Sequence, residues 1–140
     1  FVLLFSMRKI IIFIITLTAI TLAQIEIPFE IDLKTRIVNN TITLVNIQIT
    51  NLIDKPLDYV EGFIREINSD KELINEKRMV LIYGYEPPLQ TGFSTTRSIS
   101  FPLVDSKNPN VYEFYISKLK FIGESRVFTW HPKVGFIRID

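Results

Sequence analysis

The chain holds one histidine, His131 in Trp130-His131-Pro132, the residue type best suited to moving a proton near neutral pH. Nucleophilic catalysis would need a serine or cysteine beside it and an acidic group to orient it. Cysteine is absent, which also excludes a disulfide framework, thiolate metal sites and thiol redox chemistry. The serines in Gly92-Phe93-Ser94 and Gly123-Glu124-Ser125 lack the Gly-x-Ser-x-Gly elbow and its strand-to-helix setting. Asp54 and Asp58, with Glu61 and Glu66 beyond them, are close enough in sequence for a carboxylate pair acting as acid and base, which requires convergent geometry and a displaced pKa. Their spacing does not force convergence and reads as solvated strand ends. No Asp-x-Asp-x-Asp-Gly run marks a calcium loop, and no glycine-rich segment would cradle a phosphate. The sequence therefore predicts a non-enzyme with no catalytic, metal-binding or cofactor-binding residue, and makes His131 a turn residue at a strand end.

Two features point to modification or binding instead. Asn39-Asn40-Thr41 is a glycosylation sequon, placed on a turn ahead of a strand, which makes Asn39 the candidate acceptor on a eukaryotic secretory route. Tyr83, Tyr85 and Phe93 flank Glu86-Pro87-Pro88. The pattern predicts core residues or loop plugs there, with an exposed binding patch as the alternative.

Export is the clearest organisational signal. Met7-Arg8-Lys9 is a short basic start, Ile10 to Leu17 an apolar core and Thr21-Leu22-Ala23 a small-residue cleavage site, so residues 1–23 read as a signal peptide with an upstream extension. The other reading is an uncleaved anchor, for which Ile10 to Ala23 is short against the ~20 residues of a span. Of the 140 residues, the remaining 117 suit a single domain, residues 24–140. The formal charge of +1 comes from 16 basic and 15 acidic residues, and Arg8 and Lys9 supply its sign. Without them the domain is slightly acidic and carries no nucleic-acid footprint.

The elements that must position these residues are strands. Runs rich in β-branched and aromatic residues recur between turn signals, and no 3.6-residue stripe persists for three turns. The pattern predicts strands over Ile25–Leu33, Thr41–Leu52, Leu57–Ile67, Met79–Tyr83, Ser94–Leu103, Val111–Phe121, Arg126–Trp130 and Val134–Ile139. Val45, Ile47 and Ile49 alternate with Asn46, Gln48 and Thr50, giving one buried and one wet face. In Val111–Phe121 the apolar phase changes between Ile116 and Leu119, which predicts a bulge near Ser117-Lys118. Ser69 to Lys77 reads as a short helix or a polar edge strand outside the core. The whole predicts an all-β, immunoglobulin-like antiparallel sandwich of seven to eight strands, preceded by a signal-peptide helix.

With that order of segments, the chain resembles the luminal domain of the alpha subunit of the translocon-associated protein complex, the signal sequence receptor. The likeness lies in Ile47-Gln48-Ile49-Thr50-Asn51 followed by Pro56-Leu57-Asp58-Tyr59-Val60-Glu61, in Glu86-Pro87-Pro88 leading through Phe93 to Phe101-Pro102, in Phe114 through Phe121 to Gly123, and in the ending Phe136-Ile137-Arg138-Ile139-Asp140. Asn75-Glu76-Lys77 and Pro132-Lys133-Val134 stand where the family carries sequons, and the acidic luminal tail, transmembrane helix and basic tail are absent from these residues.

The resemblance implies a non-enzymatic domain on the luminal side of the endoplasmic-reticulum membrane, assisting translocation or insertion of nascent chains. Its partners would be the translocon channel and sister subunits, and its membrane attachment a segment not present in this chain. The competing class is a soluble secreted or periplasmic immunoglobulin-like binding module, in which an Asn-x-x-Asp-Lys-Pro-Leu turn and a Pro-Leu-x-x-Gly loop recur. Asn51 to Leu57 and Pro88-Leu89-Gln90-Thr91-Gly92 match these.

Overall fold

The computed structural model describes residues 27–140, and the predicted signal peptide lies outside them. Eight strands follow in order: β1 (Phe29–Val38), β2 (Ile42–Asn51), β3 (Leu57–Ile67), β4 (Leu73–Ile82), β5 (Ser94–Pro102), β6 (Val111–Phe121), β7 (Phe128–His131) and β8 (Gly135–Arg138). They form two antiparallel sheets, β1-β2-β5 and β4-β3-β6-β7-β8, packed as a β-sandwich. Val45, Ile47 and Ile49 of β2 are fully buried against Val60, Ile64 and Leu119 of the other sheet, as period-two alternation requires.

Strands β3 and β6 run as predicted, and the two clear departures are edge strands. β1 starts at Phe29 rather than Ile25 and continues through Lys34, Thr35 and Arg36 to Val38, and β4 begins at Leu73 rather than Met79, so the polar edge-strand alternative for Ser69 to Lys77 holds from Leu73 onward. Each pairs on one side only, so much of its surface stays in water and carries polar residues that mask the strand signal. The hairpin between β1 and β2 turns at Asn39 and Asn40, both with positive φ, and the Thr41 N–H donates to Val38 O at 3.1 Å. Asparagine tolerates that left-handed backbone, and a turn of this hand suits the twist of the flanking strands.

The bulge predicted near Ser117 is present. Glu61 pairs with Lys118 and Gly62 with Ile116, so Ser117 is the extra residue, and its hydroxyl donates to Glu61 O at 3.3 Å. On the other side of β3, Val60 pairs with Ile82 and Glu61 with Val80, which leaves Leu81 as a second extra residue at the same level. The buried Glu61 carboxylate holds both bulged neighbours, accepting from Arg78 of β4 and lying 3.6 Å from Lys118 Nζ of β6. Hydrogen bonding to Glu61 raises the pKa of Arg78. Gly62 permits the close approach, because a Cβ there would stand 2.2 Å from Tyr115 O and 2.5 Å from the Phe114 ring.

One end of the sandwich is organised by Asn51, which is fully buried. Its Nδ2 donates to Lys55 O and Leu89 O, both at 2.9 Å, and its Oδ1 accepts from Ile53 N–H at 3.1 Å. Its backbone bonds Phe93 O and Gly92 N–H, and Leu57 exchanges two backbone bonds with Leu89. The Asn51–Leu57 turn and the Pro88–Gly92 loop are thus one structural unit.

Two substitutions test this packing. Asn51→Ala strands two carbonyls and an N–H in a dry interior and should cost about 2–4 kcal/mol. Asn51→Asp, though isosteric, should be no better, since it aims a carboxylate at those carbonyls. Gly62→Ala should cost about 2–3 kcal/mol by overpacking. Denaturant titration should show each as a lower midpoint at unchanged slope.

Candidate binding groove

β6 pairs with β3 along its length but meets β7 at one position, Leu119 with Phe128. Beyond the Ser117 bulge, Val111 to Ser117 have no strand partner on the β7 side among the described residues. Thr129, Trp130 and His131 of β7 pair only with β8. A bulge increases local twist, so β7 cannot follow β6 past it, and the five-stranded sheet splits.

The split opens a groove of about 950 Å³. Phe114, Ile116 and Trp130 line it with Ile31 from β1, and Ile137 and Ile139 form the far wall. Trp130 is fixed by an edge-to-face contact with Phe29 at 5.7 Å, and Phe136, its register partner on β8, makes an edge-to-face contact with the same ring at 5.8 Å. The formally charged residue on this lining is Arg65. Its guanidinium stacks 4.6 Å from the Tyr115 ring centre, donates to the Tyr115 hydroxyl at 3.2 Å and faces Glu76 at 3.4 Å. The Tyr115 bond raises the Arg65 pKa, with Glu76 adding to it. The groove thus offers an apolar, partly aromatic floor and strand backbone open on one side, with one cation held at its rim.

The residues singled out for chemistry do not converge. His131 ends β7 in an exposed turn, where its Nδ1 accepts the Lys133 N–H at 3.1 Å. Glu61 and Glu66 are both buried, but five residues apart on one strand they face opposite sides of the sheet. Glu66 points inward and accepts from the Tyr112 hydroxyl at 2.6 Å and Asn110 Nδ2 at 3.2 Å. Burial pushes the Tyr112 phenol well up, and Glu66 adds to the shift. Asp54 is exposed and Asp58 half-buried. Among the described residues, no three His, Asp or Glu side chains gather as metal ligands would. Asn39 sits exposed at the tip of the first hairpin.

Tyr83, Tyr85 and Phe93 depart from expectation, since all three are exposed. Tyr83 and Tyr85 stack on each other at 5.1 Å, and Phe93 follows the loop that Asn51 anchors. The loop between them is shaped by polar groups. The Glu86 carboxylate accepts from the Tyr83 N–H at 3.1 Å and from the Arg97 guanidinium, while Arg97 Nε donates to Leu81 O at 3.1 Å. Arg97 stands opposite Ile47 on the core side of β5, so this bond bridges the two sheets. The groove itself left no motif in the sequence. Its one signal was the phase change at Ser117, which located a bulge but not the opening beside it.

No protein-family model matches the chain, and no curated protein matches it. Among solved structures, a protein from Bordetella pertussis described as ApaA is similar at 14% identity over 79% of this chain and 89% of that one, with a TM-score of 0.55. A structural-genomics target solved by X-ray diffraction is 11% identical over 70% and 88%, with a TM-score of 0.42. The first likeness is one of fold.

The Glu86–Arg97 bridge makes acid stability testable. Arg97 holds the Glu86 carboxyl below its usual range. A carboxyl with a lower pKa folded than unfolded contributes fully above its unfolded value of about 4.3 and loses that contribution as pH falls through the folded value. Glu86→Gln should therefore lower Tm near pH 7, with the two melting curves converging at more acid pH.

Proposed function

We propose that this protein is a non-catalytic binding module that takes an extended polypeptide segment along the open edge of β6. The observation that carries the reading is the split sheet. Along Val111 to Ser117 of β6, the alternate residues that turn their N–H and C=O away from β3 have no strand partner among the described residues, and Phe114 to Ser117 line an apolar groove beside them. Strand addition uses such an edge, with main-chain bonds giving affinity and the floor selecting alternate side chains. Of the two exported settings, the soluble secreted or periplasmic module draws support from the turn and loop that typify it, which Asn51 joins into one unit. The luminal translocon setting would use the same surface on nascent or partner chains.

Trp130 is the one tryptophan and lines the groove, so its emission reports occupancy. A lysine-flanked heptapeptide of alternating valine and threonine should shift that emission saturably. The same peptide N-methylated at alternate amides should not, and Ile137→Arg should abolish the response while leaving the far-ultraviolet circular dichroism unchanged. Equal responses to both peptides, or none to either, would refute the reading.

A further inference from the structure

The end of the sandwich organised by Asn51 gathers exposed apolar side chains from every loop that reaches it. Ile27 is 67% exposed, Tyr85 83% and Phe93 66%, and Leu52, Tyr83 and Ile122 are exposed beside them. Backbone hydrogen bonds bind their loops together. Leu52 N–H donates to Pro28 O at 2.9 Å, Ile122 N–H to Pro56 O at 3.1 Å, and Asn51 N–H to Phe93 O at 3.0 Å. The Thr91 hydroxyl closes the set on Ile53 O at 2.6 Å. These side chains therefore stand on one rigid, hydrogen-bonded surface. Tyrosine and phenylalanine on such a surface suit a boundary that is apolar on one side and wet on the other.

The sequence states what lies beside this end. The apolar run Ile10 to Ala23 is separated from β1 by five residues, Gln24 to Pro28, and the described chain enters at Ile27, on the patch itself. Five extended residues span at most about 17 Å. Wherever that run is inserted in a bilayer, this end of the sandwich is therefore held within that distance of the hydrocarbon boundary, and the opposite end, carrying Asn39 and the Asp105–Asn110 loop, points away. The cations Lys55 and Arg126 share the Glu124 carboxylate, at 3.5 Å and 3.1 Å, and the exposed Asp54 adds a second acidic group next to Lys55, so the patch presents no unbalanced cationic field.

We infer that this end is a lipid-resting surface. Tyr85, Phe93, Leu52, Ile122 and Ile27 settle into the interface of the membrane that holds the apolar run, through apolar contact rather than attraction to anionic lipid. A short apolar run and an interfacial patch then anchor the domain jointly. This inference takes the uncleaved-anchor reading of residues 10–23 in place of the soluble setting, and is independent of whether the β6 edge takes a peptide.

The absence of cysteine makes the test direct, because a single introduced thiol is labelled uniquely. Tyr85→Cys and, at the opposite end, the 76%-exposed Val104→Cys alter side chains outside the core. Each full-length variant carries an environment-sensitive nitrobenzoxadiazole label and is reconstituted into phosphatidylcholine vesicles. The label at position 85 should shift to the blue and be quenched by lipids bearing a shallow nitroxide. The label at position 104 should do neither, and raising salt should not reverse the effect. No quenching at 85, equal quenching at both positions, or quenching that requires anionic lipid would overturn the inference.

Discussion

The structure depends on how three strands pass one another at Glu61 and Gly62. Both neighbours of β3 insert an extra residue at this level, Leu81 on one side and Ser117 on the other. The glycine lets β6 approach where a Cβ would strike backbone. The carboxylate answers the approach with charge, and Arg78 and Lys118 reach over it from the two flanking strands. A buried carboxylate is costly unless paired, so this arrangement specifies the register of both ladders as well as joining them. Past Ser117, where the bulge increases the twist, β6 keeps β3 as a partner but lacks one on its β7 side, and the groove lies there.

Asn51 plays the corresponding part at one end. Loops normally satisfy their backbone with water, and two loops brought together around a dry point need an internal partner. One asparagine, with two donors and an acceptor all used, supplies it. The arrangement lets a cysteine-free domain of this size hold its loops rigid by packing and hydrogen bonding. It also separates the surfaces in space, with the groove along one side and the apolar loops at one end.

Legibility in the sequence followed burial on two faces. Central strands β3 and β6 carry apolar periodicity strong enough to set their ends, and the change of phase between Ile116 and Leu119 revealed the bulge. Edge strand β1 was ended early, at Leu33, and the first half of β4 was left between a short helix and a polar edge strand, because Lys34, Arg36, Glu76 and Arg78 face water there and interrupt the pattern. Tyr83, Tyr85 and Phe93 were read first as core residues or loop plugs and second as an exposed patch, and a hydrogen-bonded loop keeps them outside. The groove was illegible, since it arises from a pairing that fails to form between β6 and β7, and local composition does not encode a missing partner. Asn51 was visible only as part of a turn, because its second partner, Leu89, lies 38 residues away.

The split between β6 and β7 is the central claim, and residue-resolved amide hydrogen exchange measures it most directly. Between Val111 and Ser117, amides directed at β3 should be strongly protected, while the alternating amides directed at the groove should exchange orders of magnitude faster. Comparable protection of both sets along that stretch would mean that the sheet is continuous, and would contradict the account.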